Sequence, residues 1–266
     1  MPARRLRLDA ELVRRGLARS RDHAAELVAA GRVSVSGARA TKPATGVTTD
    51  VAIVVADDPD RPDYVSRGGH KLAGALAAFQ PLGLVVAGRR CLDAGASTGG
   101  FTDVLLRAGA REVVAVDVGY GQLAWALQSD DRVLVHDRTN VRELTPELIG
   151  GPVDLVVGDL SFISLALVLE PLFGVTHEDG DLALMVKPQF EVGKDRVGKG
   201  GVVRDLALRA EAVAQVAERA ALLGWGARGV TRSPLPGPSG NVEFFLWLRH
   251  GAAEIGEDDI HDAVRG

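Results

Sequence analysis

Small residues and two carboxylates are spaced along residues 89–117 in a way that could hold a charged cofactor. An apolar strand, Arg89 to Asp93, runs into a turn of Gly, Ala, Ser and Thr that opens a helix at Phe101. Glycines in such a turn let the backbone and a ligand approach closely. A second strand, Val113 to Val116, ends in Asp117, where a doubly wound fold places the acid that binds a ribose hydroxyl pair. This arrangement predicts half of a nucleotide-type cofactor site.

Three kinds of site compete for this turn. The dinucleotide pattern G-x-G-x-x-G requires a glycine where the chain has Ser97, and it gives Asp93 no role. Gly95 to Gly99 also matches G-x-S-x-G, the turn that presents the nucleophilic serine of esterase-like hydrolases. In those enzymes the turn follows several strands, whereas here its strand is the first of its domain. S-adenosylmethionine carries a positive sulfonium that Asp93 would favour electrostatically, so it fits best, with a Ser97 hydrolase as the alternative.

Continuous apolar runs predict the sheet that must position these groups. Parallel strands covered by helices on both faces are typically such runs, separated by helical segments. A helix is also expected at 70–79, and a long one at 205–223. The expected later strands lie at 133–137, 153–159, 182–187, 227–231 and 242–248. The predicted fold class is α/β, a doubly wound, mostly parallel Rossmann-like sheet.

Charged residues stand at the ends of five of the expected strands. One or two could be ordinary cap residues, but ligands gather at the carboxyl ends of strands in open parallel sheets. Five charged residues on one edge therefore indicate a site. They are Asp93, Asp117, Asp137, Asp159 and Lys187.

Composition narrows the compartment and the cofactor chemistry. The 266 residues are 46% hydrophobic and 25% charged, enough for one large domain and one small one. No stretch approaches the roughly 20 apolar residues of a membrane span, and the N-terminal residues lack the apolar segment of a secretory signal. A single cysteine fits a reducing compartment, and no Cys/His cluster has metal-ligand spacing. We expect a cytoplasmic protein without a membrane partner or a metal.

The charge of the chain is unevenly distributed. The net charge is −4, yet residues 1–56 hold ten Lys or Arg and only five Asp or Glu. Helical spacing predicts two short helices there, with Gly16 and Gly31 as stops and Ser20 as an N-cap. Val33 to Val35, a Ser-Gly turn and Val51 to Val55 predict a small hairpin. We therefore expect a small basic α+β domain at 1–60, a Pro- and Asp-rich linker at 57–63 and a larger domain at 61–266.

Basic residues in two places could hold RNA phosphates, which positions RNA without reading its sequence. The loop at 193–201 also nearly spells a P-loop, but Gly200 replaces the Ser or Thr that would bind Mg²⁺ and no strand leads into it. We interpret it as a loop that closes over RNA. The predicted RNA-binding residues are Arg4, Arg5, Arg7, Arg14, Arg15, Arg19, Arg21, Lys42, Lys194, Arg196 and Lys199.

Two resemblances make these expectations specific. Residues 7–43 resemble the S4 RNA-binding domain, a helix pair and hairpin that grips structured RNA. With the downstream motifs SRGGHKL (66–72), LDAGASTGGF (92–101), GDLSFISL (158–165), VKPQFE (186–191) and NVEFF (241–245), the chain resembles TlyA-type ribosomal RNA 2′-O-methyltransferases over residues 1 to about 250. These combine an S4 domain with an FtsJ-like methyltransferase domain.

The resemblance implies roles for individual residues. FtsJ-like enzymes use a Lys-Asp-Lys-Glu tetrad, which falls on Lys71, Asp159, Lys187 and Glu243, and they require no metal. S-adenosylmethionine is the implied cofactor, and ribosomal RNA or ribosomal subunits are the implied partners, with cytidine as the expected target. The residues assigned to cofactor binding are Ser66, Arg67, Gly68, Asp93, Gly95, Ser97, Gly99, Gly100, Phe101, Asp117, Asp137 and Asp159.

Two other functions stay open at this stage. One is the hydrolase based on Ser97. The other is a non-catalytic RNA-binding or pore-forming protein, because members of this family are also called haemolysins. The absence of a signal segment and of a membrane-seeking span gives the haemolysin label little support.

Overall fold

Two stretches of the chain, residues 5–56 and 62–266, are described by the computed structural model. The chain divides into two units between Asp63 and Tyr64, close to the boundary expected near residue 60. Most of the predicted linker lies outside the described residues, and so does Arg4, one of the predicted RNA-binding residues.

The first unit packs two helices against short strands. Leu8, Leu12, Leu27 and Val33 are buried in its core. The Ser20 hydroxyl accepts a hydrogen bond from the His23 N–H at 3.1 Å, which confirms the expected N-cap. Its elements are β1 (Leu6–Arg7), α1 (Leu8–Arg14), α2 (Arg21–Ala29), β2 (Val33–Val35), β3 (Ala38–Arg39), β4 (Gly46–Val47) and β5 (Ile53–Val55).

The expected antiparallel pairing of Val33–Val35 with Val51–Val55 is confirmed by β2 and β5, but the Ser36-Gly37 turn does not join these two strands. Ser36 and Gly37 both have positive φ, 50° and 80°, as in the tight two-residue turns that join adjacent antiparallel strands. The turn therefore leads directly into β3, while β5 pairs with the opposite side of β2. The described residues of this unit form a three-stranded sheet, order β3-β2-β5, and a separate β1-β4 pair.

The described residues of the second unit form a seven-stranded, mostly parallel sheet with the order β11-β12-β10-β9-β6-β7-β8. Only β12 runs antiparallel to its neighbours. The doubly wound fold class is confirmed. The elements are α3 (Gly68–Phe79), β6 (Arg90–Ala94), α4 (Gly100–Arg107), β7 (Glu112–Val116), α5 (Trp125–Gln128), β8 (Val133–His136), β9 (Val153–Gly158), α6 (Leu169–Gly174), β10 (Thr176–Val186), α7 (Pro188–Glu191), α8 (Leu206–Leu222), β11 (Trp225–Arg232), β12 (Phe244–His250) and α9 (Glu257–Arg265).

Helices cover both faces of the sheet. One face packs against α3, α4 and α5, and the other against α6, α8 and α9. Successive side chains of β10 alternate between the two cores, with Leu184 on one side and Met185 on the other. Because both faces are buried, the strands read as continuous apolar runs rather than as an alternating pattern.

Strand β10 begins six residues before its expected start at 182. Its first part, from Thr176, is polar and largely exposed, so hydropathy did not indicate a strand there. The pairing of β10 with β9 is interrupted between Thr176 and Asp181, where the register shifts. The apolar part of the strand, which was expected, is the part that leads to Lys187.

Asp181 forms a buried polar network at the edge of the sheet where the parallel strands begin. Its carboxylate is fully buried, accepts hydrogen bonds from Arg89 Nη1 at 2.6 Å and Trp247 Nε1 at 2.8 Å, and lies 3.4 Å from Arg249 Nε. The network joins β10, β12 and the segment before β6.

Replacing Asp181 by alanine is expected to destabilise the second unit by about 3 kcal/mol, because it leaves buried donors and partly buried guanidinium groups without their acceptor. Urea unfolding followed by tryptophan fluorescence measures this effect in the second unit alone, since Trp125, Trp225 and Trp247 all lie there. Asp181→Asn retains an acceptor for Trp247, so it should lose less stability than Asp181→Ala. Equal unfolding midpoints for the native protein and the alanine variant would contradict the assignment.

None of the helices in the described residues is long and apolar enough to span a membrane.

Candidate active site at the carboxyl edge of the sheet

The four tetrad residues come from four different elements that meet at one edge of the sheet. Asp159 directly follows β9 and Lys187 directly follows β10, while Lys71 lies in the first turn of α3. Glu243 directly precedes β12. Because β12 is antiparallel, its start lies at the same edge as the ends of the parallel strands.

Their charged groups form a series of contacts in which positive and negative charges alternate. Lys71 Nζ lies 2.5 Å from Glu243 Oε2 and 4.0 Å from Asp159 Oδ2. Lys187 Nζ lies 2.5 Å from Asp159 Oδ1, a charge contact without the angles of a hydrogen bond, and donates a hydrogen bond to Ser161 Oγ at 2.8 Å. The order is therefore Glu243, Lys71, Asp159, Lys187.

Burial makes this pairing obligatory. Lys71, Lys187 and Glu243 expose 5%, 6% and 1% of their surface, so each charge needs its neighbour. Two positive and two negative groups leave the cluster neutral overall. The Glu243 carboxylate lies between Lys71 and Gly237. A Cβ added at Gly237 would be only 2.6 Å from Glu243 Oε1. Glu243 thus supports Lys71, and the two lysines and Asp159 face outward.

A cleft of about 310 Å³ opens in front of these groups. Its volume is at the lower end of the range for small-molecule sites, about 300–1,000 Å³. Most of the predicted catalytic and cofactor-binding residues line it. These are Ser66, Arg67, Gly68, Lys71, Gly95, Ser97, Gly100, Phe101, Asp159 and Lys187.

Two positions in the cleft wall require glycine, because neighbouring backbone atoms lie where a side chain would begin. Gly95 has φ +85°, and a Cβ there would lie 3.1 Å from the Asp159 carbonyl oxygen. At Gly100 a Cβ would lie 2.8 Å from the Gly69 nitrogen, so the start of α4 can approach the start of α3 only without a side chain. The turn and the helix that carries Lys71 are packed together by these contacts.

Asp93 lies behind the turn rather than in the cleft lining. Its Oδ2 accepts a hydrogen bond from Thr102 Oγ1 at 2.7 Å, and its Oδ1 has no partner among the described residues. Complete burial, opposed by the Thr102 hydrogen bond, raises the pKa of Asp93 to about 7. Its predicted electrostatic attraction for a cation remains a prediction, and only the fraction ionised at neutral pH could provide it.

Asp117 and Asp137, which directly follow β7 and β8, hold the turn after β6 and the loop after β7. Asp117 accepts hydrogen bonds from the N–H groups of Ser97 at 2.8 Å and Gly119 at 2.7 Å. Asp137 accepts one from Gly121 at 2.9 Å. Neither residue lines the cleft, and Gly99 does not either. A carboxylate can accept further bonds at its remaining lone pairs, so both residues retain capacity for a ligand.

The environment of Ser97 does not match that of a nucleophile. Its φ of 47° is a positive value that a nucleophilic turn would also show. Its Oγ, however, lies 3.4 Å from Gln122 Oε1, and no histidine is among its partners in the described residues. Without a base in reach the hydroxyl cannot be activated.

The loop 159–165, within the GDLSFISL motif, holds residues to which the sequence assigned no individual role. Ser161 lines the cleft beside Lys187. Phe162 has φ 65°, exposes 91% of its surface and lies with its ring centroid 5.5 Å from that of Phe190. Glu191 accepts hydrogen bonds from Ser164 and Leu165 of this loop.

Three residues outside this loop, to which the sequence assigned no role, also line the cleft. They are Ala96, Thr98 and Pro238.

Several basic residues of the first unit are held by buried carboxylates. Asp9 is bound by Arg7 and Arg21, at 2.8 and 3.0 Å, and the fully buried Glu11 by Arg14 and Arg15, at 2.6 and 2.7 Å. Hydrogen bonds from the arginines lower the pKa of Glu11 to about 2 and that of Asp9 further still. The guanidinium groups are therefore fixed in place within the unit.

Arg15 differs from the other predicted RNA-binding arginines. Its guanidinium donates to the carbonyl oxygens of Val51 and Thr49, at 2.7 and 2.9 Å, as well as to Glu11. These contacts give Arg15 a structural role within the unit. Arg5, Arg19 and Lys42 are exposed, as expected for residues that meet a polyanion.

The loop 193–201 is exposed and basic, with Lys194, Arg196 and Lys199 at the surface. Arg196 pairs with Glu211 at 2.5 Å. The loop follows helix α7 rather than a strand, as expected for a segment that is not a P-loop. Asn241 fixes its far end by accepting from the Val203 N–H and donating to the Gly201 carbonyl.

Two further observations concern other possible sites in the described residues. A second cleft of about 490 Å³ lies between β11 and α9 and contains none of the predicted site residues. No group of His, Cys, Asp or Glu within residues 5–56 and 62–266 is arranged to hold a metal ion.

Comparison with known proteins gives a consistent result. A sequence profile of the FtsJ-like methyltransferases matches residues 64–250, and one of the S4 domain matches residues 6–53. The chain is 62% identical to the 16S/23S rRNA (cytidine-2′-O)-methyltransferase TlyA of Mycobacterium tuberculosis, over 98% of each chain. It is 35% identical to Hemolysin A of Brachyspira hyodysenteriae, over 90% of this chain and 98% of that protein. A solved structure described as a hemolysin from Streptococcus thermophilus has a TM-score of 0.73 and 36% identity, and the match covers 98% of this chain and 94% of that one.

Proposed function

The chain belongs to the FtsJ-like methyltransferase family and carries an S4 domain, and on this basis we propose that it methylates ribosomal RNA at a ribose 2′-hydroxyl, with S-adenosylmethionine as methyl donor and cytidine as target. The observation that carries the proposal is the series of ion pairs from Glu243 through Lys71 and Asp159 to Lys187, of which the two lysines and Asp159 line the cleft. Its substrate would be a ribosomal subunit or its RNA, and we place the enzyme in the cytoplasm with that substrate.

The residues around the cleft fit the cofactor. The glycine turn leaves room for a ligand against the backbone, and Asp117 and Asp137 present carboxylates at the ends of adjacent strands, where ribose and base donors could bind. The unpartnered, completely buried Oδ1 of Asp93 is a further acceptor close behind the turn. When bound, S-adenosylmethionine supplies a methyl group on a positively charged sulfur.

The chemistry sets the task of the protein. A bond forms between the 2′-oxygen and the methyl carbon, the carbon–sulfur bond breaks, and the hydroxyl proton leaves. Orientation contributes much of the rate, since the reacting atoms must be aligned about 3–3.5 Å apart. Lys187, held by Asp159 and Ser161, is placed to orient the hydroxyl and, in its neutral amine form, to receive the proton that the hydroxyl loses. Lys71, held by Glu243, fixes the other side of Asp159.

A direct test uses labelled cofactor and purified ribosomal subunits. After incubation the RNA is hydrolysed in alkali, where a 2′-O-methyl group blocks cleavage at its own linkage. A labelled dinucleotide that begins with cytidine is expected, and none should form with a Lys187→Met variant. Absence of label on every RNA offered would refute the proposal, and label on another nucleoside would refute its target.

Asp117→Ala is expected to weaken binding of S-adenosylmethionine by about tenfold or more, because it removes a charged acceptor at the predicted ribose position. The variant also releases the N–H groups of Ser97 and Gly119. Asp117→Asn keeps one acceptor, so its affinity for S-adenosylmethionine should lie between those of the native protein and Asp117→Ala. Calorimetric titration measures the affinities, and an unchanged value for the alanine variant would place the ribose elsewhere.

A further inference from the structure

The loop 159–165 and the segment 187–191 are connected at three points. Lys187 contacts Asp159 and Ser161 at the inner end. The Phe162 and Phe190 rings lie against each other in the middle. At the outer end, Glu191 Oε2 accepts a hydrogen bond from Ser164 Oγ at 2.6 Å, and Oε1 accepts one from the Leu165 N–H at 2.9 Å. The two segments therefore form one assembly that carries half of the tetrad.

This loop is strained where it meets the site. Phe162 has φ 65° although it is not glycine, and its ring is 91% exposed, so burial of the ring does not compensate for the strain. Strained backbone persists only where the surroundings hold it, and it is concentrated at functional sites. Ser161, which contacts Lys187, is the residue next to it.

Glu191 is the group that holds the outer end of the loop. Its hydrogen-bond donors among the described residues are neutral, the Ser164 hydroxyl and the Leu165 amide. Burial raises the pKa of Glu191, and these two hydrogen bonds only partly oppose that rise. An ionised Glu191 thus lowers stability at neutral pH, because a raised pKa in the folded state favours folding only at low pH. Stability alone does not account for a carboxylate at this position.

Resting on the proposed methyl transfer, we propose that Glu191 is a positioning residue for this reaction. Acting through Ser164 and Leu165, it fixes the loop so that Asp159 and Ser161 stay in contact with Lys187. It contacts neither lysine, and it does not line the cleft. Its effect should therefore appear in the rate of the chemical step rather than in binding of the cofactor.

The variants Glu191→Ala, Glu191→Gln and Ser164→Ala test this role. Glu191→Ala removes both hydrogen bonds, while in Glu191→Gln the side-chain amide can accept from the Leu165 N–H and donate to the Ser164 hydroxyl. Ser164→Ala removes one of the two. Glu170→Ala is the matched control, since Glu170 is exposed and pairs with Arg219 outside this loop.

We expect Glu191→Ala to lower kcat by about ten- to a hundredfold, as misplacement of the groups around the reacting atoms would. Cofactor affinity should change less than twofold. Glu191→Gln should keep kcat within about threefold of the native value and should have a melting temperature no lower than that of the native protein. The kcat of Ser164→Ala should lie between those of Glu191→Ala and the native protein. Glu170→Ala should have the native kcat. Hydrogen exchange of the amides at 159–165 should speed up in Glu191→Ala and not in Glu191→Gln.

Three results would overturn the proposal. Native kcat in Glu191→Ala would show that the contact is dispensable. Equal loss in Glu191→Gln would assign the effect to the charge rather than to the hydrogen bonds. Parallel losses of kcat, cofactor affinity and melting temperature would indicate general damage to the fold. If the native protein methylates no ribosomal RNA, the proposed function fails, and hydrogen exchange alone decides whether Glu191 holds the loop.

Discussion

Lys187→Ala is expected to lower methyl transfer by at least about a thousandfold while S-adenosylmethionine and RNA still bind. Lys187 is the one lysine of the tetrad that contacts both Asp159 and Ser161 at the cleft, so its loss removes the group proposed to orient the hydroxyl and receive its proton. The neutral partner Ser161 and the more distant Lys71 cannot replace it. Single-turnover rates with saturating cofactor and RNA measure the chemical step directly.

The matched variant is Lys187→Met, which keeps the length of the side chain and removes its charge. Both variants should retain the melting temperature within a few degrees, because Asp159 is partly exposed and keeps Lys71 within 4.0 Å. Lys187→Met with more than about a tenth of native activity would exclude an essential role in proton transfer. Loss of cofactor affinity in parallel would instead make Lys187 a binding residue.

The second large effect is expected in the first unit. Replacing Arg5, Arg14, Arg21 and Lys42 together by alanine should weaken RNA binding by about a hundredfold at moderate salt, because phosphate contacts supply most of such affinity. Arg14 and Arg21 are suitable because Glu11 and Asp9 each keep a second arginine. Arg15 is left in place since it holds the unit's own carbonyl groups.

Salt dependence distinguishes this effect from simple unfolding. Each lost phosphate contact should make the slope of log affinity against log salt shallower by about 0.7 to 0.9. The control replaces four arginines of the second unit outside the cleft lining, which changes the net charge equally. These are Arg111, Arg132, Arg219 and Arg265. If the variant of the first unit kept the native slope, the loop 193–201 would be the main anchor instead.

Much of the second unit followed from the sequence because its strands are buried on both faces. Continuous apolar runs mark such strands, and the residue that ends each run then lies at the carboxyl edge of the sheet. Asp117, Asp137, Asp159 and Lys187 all directly follow their strands, as expected, and Asp93 lies one residue before the end of its strand. The direction of a strand is not encoded in its hydropathy, so Glu243 could be placed only through the family resemblance.

The residues of the quoted motifs to which sequence reasoning assigned no role lack a periodic signal. Ser161, Phe162 and Glu191 stand in short segments, and their contacts depend on how two loops meet rather than on a spacing along the chain. In the first unit the strands are two or three residues long, too short for alternation to indicate β3, the second partner of β2. The turn at Ser36 and Gly37 held the missing information, because its length fixes the next strand as the partner.

The position of β12 in the sheet governs when the enzyme can become active during synthesis. This strand is inserted between β10 and β11, although it follows both of them along the chain. Until residues 244–250 have emerged, β10 lacks a neighbour on one side, and Glu243 cannot reach Lys71. A nascent chain can therefore build the glycine turn early, yet it lacks a complete set of charged groups until Glu243 and β12 have been translated.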